Sequence, residues 1–267
     1  MRTRYAPTPS GYLHQGNAAH FLVISRVASE RGADTVLRID DMDDGRFRED
    51  YLHDIFDLLG WLDLRWQLGP RSASDMTTWR QATRLVRYQE AFTALNDKGL
   101  IYACECSRTE WQTHTGHSCP RNCRARGVQV REASFRLHLA SLSRQDELAG
   151  ITDPVIWRRD NLPAYHLTSV VDDDLWGIDL VVRGADLRES TAVQLALSAS
   201  LPASQFRHAT VLHHDVIADA HGSKLSKSSG SGAEPLARTD QVKAEILELA
   251  DELYESLVSY RPRSSGN

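Results

Sequence analysis

The sequence predicts an α/β fold built on a doubly wound parallel sheet. Short apolar strand patterns alternate with longer helical patterns along most of the chain, which is the order of elements in such a sheet. The composition agrees, because 267 residues with 41% hydrophobic and 25% charged side chains can bury the core of one large domain or two small ones. In this class of fold the ligand lies beyond the carboxyl ends of the strands.

The first four predicted elements follow the order strand, helix, strand, helix. Strands are predicted at 3–6 and 34–40. The helix between them, at 18–32, should end at Gly32, because glycine commonly terminates helices. The next helix is predicted at 48–62, where apolar residues recur at helical spacing.

The later elements continue the alternation around a cysteine-rich segment. Three short apolar runs predict buried strands at 154–160, 168–173 and 179–184. The remaining predictions are helices at 79–99, 189–201 and 242–257.

Charge and hydropathy limit the class of protein. A net charge of −5 gives no general basic surface, so contact with nucleic acid would need a local basic patch. The chain has no long uninterrupted apolar run, and its N-terminal segment lacks the apolar stretch of a signal peptide. We therefore expect a cytoplasmic protein with no membrane segment, and we expect it to be a monomer.

All four cysteines fall in one short segment, in the pattern C-x-C-x12-C-x3-C. They are Cys104, Cys106, Cys119 and Cys123. Four thiolates in one loop-rich module suit a tetrahedral zinc ion, and four protein ligands leave no open position for catalysis. We therefore predict structural zinc. A redox cluster or reduced free thiols are the alternatives, and His114 or His117 could each replace one cysteine.

The first turn, after the strand at 3–6, has the features of a phosphate site. Here a segment containing proline and glycine leads into a helix that begins near His14, Gly16 and Asn17. A helix N-terminus offers free N–H groups and a positive dipole end, and a glycine lets a ligand approach the backbone. An ordinary turn with a solvated histidine is the alternative interpretation.

The segment ADAHGSKLSKSSGSG, at 218–232, places Lys224 and Lys227 among serines and glycines. Alone, this composition is typical of a solvated linker. Together with the first turn, it predicts a mobile loop whose lysines stabilise negative charge as it develops on departing pyrophosphate. Such a loop must also open to release product.

Several motifs in fixed order resemble those of one enzyme family. APTPSGYLHQGN is similar to the HIGH-type signature, and KLSKS to the KMSKS-type signature, of class I aminoacyl-tRNA synthetases of the glutamyl and glutaminyl branch. LRIDDMDDGR, AYHLTSVVDD and VVRGADLRESTAVQLAL extend the similarity over residues 2–230. The short chain and the cysteines further resemble glutamyl-Q tRNA(Asp) synthetases, which keep the catalytic core without an anticodon-binding domain.

The resemblance implies a Rossmann-like catalytic domain with a small zinc-binding insertion. The implied division is 1–100 and 136–235 for the two halves of the catalytic domain, 101–135 for the insertion, and 236–267 for a C-terminal helix and flexible tail. It also implies that an amino acid carboxylate attacks the α-phosphorus of ATP, with Mg²⁺ shielding the phosphates.

The resemblance also assigns site residues by motif position. Those implied for catalysis are His14, Asn17, Lys224 and Lys227. Those implied for ATP binding are Pro7, His14, Gly16, Asn17 and Lys227. Those implied for glutamate binding are Arg4, Ala6, Thr8, Asp40, Tyr165 and Arg183.

Two positions depart from the family pattern. Asp40 stands where glutamyl enzymes usually carry Glu and the glutaminyl branch carries Asp, so the amino acid could be glutamate or glutamine. Cys119 stands where the paralogues often have Tyr as a zinc ligand. We predict glutamate, because a neutral amide facing Arg4 and Arg183 would leave a buried guanidinium charge without a partner.

Three functions follow as hypotheses. The first is activation of glutamate, without a need for tRNA, and its transfer to the queuosine base of aspartate tRNA. The RNA would contact a basic strip, which a solvated surface run would equally explain; its members are Arg121, Arg124, Arg126 and Arg131. The second is activation of glutamate or glutamine for a small molecule or carrier protein. The third is a catalytically idle RNA-binding or regulatory relic, which the intact lysine loop and first turn disfavour.

Overall fold

The computed structural model describes residues 1–43, 45–114, 116, 118–128, 133–216 and 234–259. The chain divides into two compact units, and each is formed by separate stretches of sequence. The first unit comprises 1–81, 178–187 and 210–267, and the second comprises 82–177 and 188–209.

The elements are short strands and longer helices. The strands are β1 (Arg2–Tyr5), β2 (Asp34–Leu37), β3 (Ile101–Cys104), β4 (Ser134–Leu137), β5 (Val155–Trp157), β6 (Leu180–Gly184) and β7 (Thr210–His214). The helices are α1 (Gln15–Arg31), α2 (Glu49–Trp61), α3 (Leu85–Asp97), α4 (Arg108–Thr113), α5 (Cys123–Arg126), α6 (Gln145–Leu148), α7 (Tyr165–Leu175), α8 (Arg188–Ser200) and α9 (Asp240–Ser259).

Parallel strands form the centre of the first unit. β1 pairs with β2 and β6 pairs with β7, both in parallel. β6 begins beside β1, where the Asp179 N–H donates to the Arg2 carbonyl at 3.1 Å. Because the strands start together, their carboxyl ends form one edge, which we call the strand edge and which comprises the residues that follow β1, β2, β6 and β7.

The strands are held in place by helices packed around them. Ile55, Leu58 and Leu59 of α2 are fully buried in the core of the first unit. Burying each such side chain contributes about 1.5–3 kcal/mol. α9 packs along α1 and adds an ion pair between Arg26 and Asp251 at 3.0 Å. The apolar spacing of the C-terminal segment therefore serves core packing.

The second unit has a different sheet. β3, β4 and β5 form an antiparallel sheet in sequence order. Among its helices, α7 is joined to the start of α3 by a buried ion pair, in which Arg84, just before α3, donates to both carboxylate oxygens of Asp172 at 2.7 and 3.0 Å. The Tyr88 hydroxyl donates to the same carboxylate at 2.8 Å. Breaking a buried pair of this kind by removing one partner costs about 3–5 kcal/mol.

Most predicted elements are confirmed, and one is wrong. α1 ends where predicted, with Gly32 in the left-handed region at φ 60°. The predicted strand at 168–173 is instead the middle of α7. A short apolar run of this kind is compatible with a strand or a helix. The helix is favoured by its tertiary contacts, because it buries Leu167 and Val170 and lets Asp172 pair with Arg84.

The predicted helix at 79–99 begins later, at Leu85, after two short 3-10 turns. In this region the Gln81 N–H donates to the Asp41 carboxylate at 2.8 Å, a contact that competes with regular helix hydrogen bonds. Among the described residues, no helix is long and apolar enough to cross a membrane.

Candidate active site and metal centre

The first turn lies at the strand edge beside the end of β2. The Arg38 N–H donates to the Tyr5 carbonyl and the Asp40 N–H donates to the Pro7 carbonyl, each at 2.9 Å. These bonds extend the β1–β2 pairing past the strands. They bring the segment from Ala6 to Thr8 alongside Asp40, and the roles of these residues stay predictions.

The start of α1 presents the predicted phosphate-binding groups. His14 occupies the N-cap position, and its N–H donates to the Asn17 side-chain oxygen at 3.2 Å. That bond orients the Asn17 amide, whose nitrogen can donate to a ligand. Gly16 is buried in the first turn of the helix, and that turn carries no acidic side chain. This helix end therefore suits an anion.

Two buried arginines lie on neighbouring strands of the first unit. Arg4 on β1 is 5% exposed and Arg183 on β6 is 3% exposed. Both lie near His20 of α1, since both of their charges lower the pKa of that histidine, after the larger effects of its burial and of His214. Buried guanidinium groups are suited to a carboxylate ligand, which they bind with paired hydrogen bonds.

The structure adds a histidine pair that the sequence analysis missed. His20 Nδ1 lies 2.9 Å from His214 Nε2, and His214 Nδ1 lies 2.7 Å from the Asp215 carbonyl. A carbonyl only accepts, so His214 donates from Nδ1, and Nε2 of the neutral ring accepts from His20. Burial lowers the pKa of both rings and favours these neutral forms. The feature of the sequence that could have indicated this pair is the doublet His213-His214 at the end of β7.

Asp40 has a partner that the sequence analysis also missed. Arg38 donates to both Asp40 carboxylate oxygens, at 2.6 and 2.9 Å, and is 1% exposed. Such a bidentate pair fixes the carboxylate in one orientation. Each oxygen keeps a second lone pair, so the carboxylate can still accept a bond from an ammonium group.

The other predicted ligand of glutamate, Tyr165, belongs to the second unit. It is the first residue of α7 and is 44% exposed. Its role stays a prediction. Lys224 and Lys227 lie outside the described residues.

The four cysteines converge in what we call the cysteine module (101–128). Their sulfur atoms lie within 4.8 Å of one another. The Sγ atoms of Cys104 and Cys119, of Cys106 and Cys119, and of Cys106 and Cys123 are 3.7, 3.6 and 3.7 Å apart. A tetrahedral ion with metal–sulfur bonds of about 2.3 Å would separate its ligands by about 3.8 Å. The cluster thus fits a tetrahedral metal ion.

The histidines considered as substitute ligands do not join this cluster as far as the structure describes them. His114 is exposed and is not among the residues whose ligand atoms converge. His117 lies outside the described residues.

Polar contacts outside the cluster support the cysteine backbone. Arg159 donates to the Cys106 carbonyl at 2.9 Å, and the Ser134 hydroxyl donates to the Cys104 carbonyl at 3.2 Å. The Cys123 N–H points at the Cys119 sulfur at 3.4 Å. Such supporting contacts orient ligands before a metal binds.

The predicted basic strip is partly neutralised. Arg126 pairs with Glu105 at 2.9 Å, and Arg121 lies 3.4 Å from the same carboxylate. Arg124 contacts His138 at 3.3 Å, and Arg131 lies outside the described residues. The strip therefore offers less net positive charge to RNA than its sequence suggests.

Comparison with known proteins identifies relatives over most of the chain. Residues 1–147 and 141–247 match the family "tRNA synthetases class I (E and Q), catalytic domain". The glutamyl-Q tRNA(Asp) synthetase of Synechococcus sp. (strain CC9605) is 37% identical over 241 residues, which cover 88% of this chain and 76% of that protein.

Longer proteins match as well. Glutamate–tRNA ligase 1 of Methylococcus capsulatus is 32% identical over 86% of this chain, and the chain spans 54% of that ligase. The fold matches a glutamate tRNA ligase from Elizabethkingia meningosepticum with a TM-score of 0.64 at 22% identity, covering 86% of this chain and 52% of that one. The chain therefore belongs to the class I tRNA synthetases of the glutamate and glutamine branch, a family of ligases, and aligns with their catalytic domain.

Proposed function

We propose that the protein activates glutamate with ATP and transfers it to the queuosine base of aspartate tRNA. The observation that carries the activation step is the geometry of the first unit, where a helix N-terminus suited to phosphate and two buried arginines lie near the carboxyl ends of its strands. The acceptor is proposed because relatives up to 37% identical are named glutamyl-Q tRNA(Asp) synthetases.

ATP binds at the start of α1 in this proposal. The N–H groups of the first turn, His14 and the Asn17 amide donate to phosphate oxygens, while Gly16 leaves room for the backbone to approach. Pro7, in the neighbouring turn, is assigned to ATP binding by its position in the motif. Mg²⁺ enters with ATP as part of the substrate and shields the phosphate charge.

Activation is an in-line displacement at phosphorus. A carboxylate oxygen of glutamate attacks the α-phosphorus, a new carboxyl–phosphate bond forms, and the bond to the departing pyrophosphate breaks. His14, Lys224 and Lys227 are assigned to the charge that moves onto pyrophosphate. A nucleophile of the modified base then attacks the carbonyl carbon, and AMP leaves.

The amino acid is selected by charge. Arg4 and Arg183 pair with carboxylate, and Asp40, held by Arg38, accepts from the α-amino group. Ala6 and Thr8 complete the part of the glutamate site that lies in the first unit, and the role of Tyr165 stays a prediction from the motifs. Glutamine offers the same amino group but an uncharged side-chain amide, which binds a guanidinium group less strongly than a carboxylate does, so it is the weaker substrate.

The cysteine module holds zinc in a structural role in this proposal. Its donor set is four cysteine sulfurs with tetrahedral spacing, and soft thiolates favour zinc over magnesium or calcium. A four-coordinate ion has no open position, so zinc supplies folding energy and no chemistry.

The deciding experiment separates activation from transfer. Pyrophosphate exchange without tRNA should proceed with glutamate and not with glutamine. Labelled glutamate should then pass to tRNA from cells that make queuosine and not to tRNA from cells that lack it. Label on queuosine-free tRNA, or on neither sample despite active exchange, would contradict the proposed acceptor and favour a small molecule or carrier protein.

A further inference from the structure

A cavity of about 580 Å³ lies beside the cysteine module in the second unit. Four arginines line it, and no carboxylate does among the described lining residues. We call it the arginine groove and define it by Arg108, Trp111, Arg136, Arg158 and Arg159. Its volume is in the range of sites that take small ligands or nucleotides.

The groove keeps most of its positive charge. Within the described residues, Arg158 forms an ion pair with Asp160. Arg136 and Arg159 instead donate to backbone carbonyls, of Asp153 at 2.5 Å and of Cys106 at 2.9 Å. Carbonyls orient a guanidinium group without cancelling its charge, so the groove stays cationic.

The guanidinium groups are also held in place. The Arg136 guanidinium stacks 3.9 Å from the centre of the Trp111 ring. Its buried Nε has no hydrogen-bond partner among the described residues. A buried N–H without an acceptor is unfavourable, and an anionic oxygen in the groove would relieve this. Orientation in advance of binding lowers the entropy cost of holding a ligand.

The groove differs from the basic strip beside the same module. In the strip, Glu105 accepts from Arg126 and lies near Arg121, so internal ion pairs use part of the charge. In the groove, the exposed Arg108 and Arg159 form no ion pair with described carboxylates, although the charge of Arg159 acts weakly on Glu110. The groove is therefore the stronger candidate for binding an external anion.

We infer that the arginine groove binds phosphate groups of the RNA backbone. Arginine recognises phosphate through paired N–H donors, and several such contacts in one groove suit a chain of phosphates. The identity of the RNA as tRNA rests on the proposed function, while the phosphate chemistry rests on the groove alone. The contacts would position RNA without reading its sequence.

The test compares two charge-matched double variants of the full chain. Arg108→Gln with Arg158→Gln removes two groove charges. Arg87→Gln with Arg144→Gln removes two charges from exposed positions of the same unit outside the groove. Circular dichroism and metal content confirm that each variant is folded. Binding of fluorescently labelled tRNA is measured from low to moderate salt, with and without queuosine.

The groove variant should bind tRNA at least about 10-fold more weakly at low salt, with a salt slope reduced by about 1 for each lost contact. The control pair should bind like the unmodified protein. Exchange of pyrophosphate with glutamate should be unchanged in both, because neither pair belongs to the glutamate site. Equal affinity and slope in the two double variants would overturn the inference.

Two further measurements distinguish RNA phosphate from free phosphate as the ligand, and distinguish failure of this inference from failure of the proposed acceptor. Inorganic phosphate and AMP are titrated into the same variants by calorimetry. If the groove substitutions weaken these ligands but leave tRNA binding intact, the groove serves a free nucleotide and the RNA inference is wrong. If they weaken tRNA binding and yet no glutamate reaches queuosine, the inference stands and the proposed acceptor fails.

Discussion

The strand edge of the first unit and the cysteine module of the second hold their polar side chains by different means. At the strand edge, parallel strands and helices with a buried apolar core fix the turns, so Arg38 can be buried against Asp40. In the module, α4 and α5 are six and four residues long, and the buried core consists of Tyr102 and three cysteines, with Trp111, Cys119 and Val128 packed against it. Helices this short are not stable alone.

The comparison teaches that the two regions should fail differently. A site supported by a packed core tolerates the loss of one polar group without unfolding, because the apolar contacts remain. The buried core of the module is small and mostly thiol, so we expect its order to depend on a bound metal ion. Four predictions test this contrast, from the largest expected effect to the smallest.

The largest effect should follow removal of one ligand from the module. Cys106→Ser should lose zinc and disorder the module, because binding of structural zinc supplies about 10–16 kcal/mol in small modules at neutral pH. Elemental analysis and limited proteolysis measure both outcomes. Ser118→Ala is the control, since Ser118 is an exposed residue of the same module. Full zinc content in Cys106→Ser would refute the four-cysteine site.

The next effect concerns the transition-state groups of the first unit. His14→Ala and Lys227→Ala should each lower the turnover of adenylate formation on the order of 100- to 1,000-fold, with a smaller change in the KM for ATP. The reason is that both groups are assigned to charge absent from the ground state. Steady-state pyrophosphate exchange gives both constants. Turnover near that of the unmodified protein would remove the residue from the mechanism.

The third effect tests amino acid selection. Arg183→Gln should lower kcat/KM for glutamate by about 10- to 100-fold, because a hydrogen bond to a charged group contributes about 1.5–3 kcal/mol. Activity with glutamine should change less or rise. Arg4→Gln should behave in the same way if both arginines face carboxylate. A loss that is equal for both amino acids would show that Arg183 supports the fold and does not select the substrate.

The smallest effect concerns the histidine pair. Burial lowers the pKa of His20, with further lowering by His214, Arg4 and Arg183, and burial also lowers that of His214 against opposing effects of Asp215 and Asp186. In the unfolded chain both rings bind protons near pH 6.5, whereas in the folded chain they resist protonation. The stability of the first unit should therefore be full above about pH 6.5 and fall as the pH drops toward the folded pKa values.

Each histidine can contribute at most about 1.4 kcal/mol per pH unit to this fall. Urea unfolding at several pH values measures the slope, and His20→Gln should make it shallower below pH 6.5. His53→Gln, at an exposed position of α2, is the matched control. The same slope in all three proteins would mean that the pair does not set the pH dependence.

The sequence by itself determined the features that depend on local patterns. The alternation of strands and helices apart from 168–173, the end of α1 at Gly32, the gathering of four cysteines and the motif family all follow from neighbouring residues, and they are confirmed. Local patterns are sufficient because helix caps, amphipathic spacing and metal ligand spacing are set over a few residues. The predicted domain boundaries and site roles stay predictions.

The tertiary structure decided which charged groups meet. Residues 168–173 are helical, and in this helix Asp172 forms an ion pair with Arg84, which is distant in the sequence. The tertiary structure joined His20 to His214, and it gathered Arg108 with Arg136 and Arg158 into one groove. Each of these contacts links residues that are distant in sequence, and their energies depend on burial and on the partner's position. Neither burial nor the position of a distant partner is a property of local sequence, so these contacts could be identified only in the folded chain.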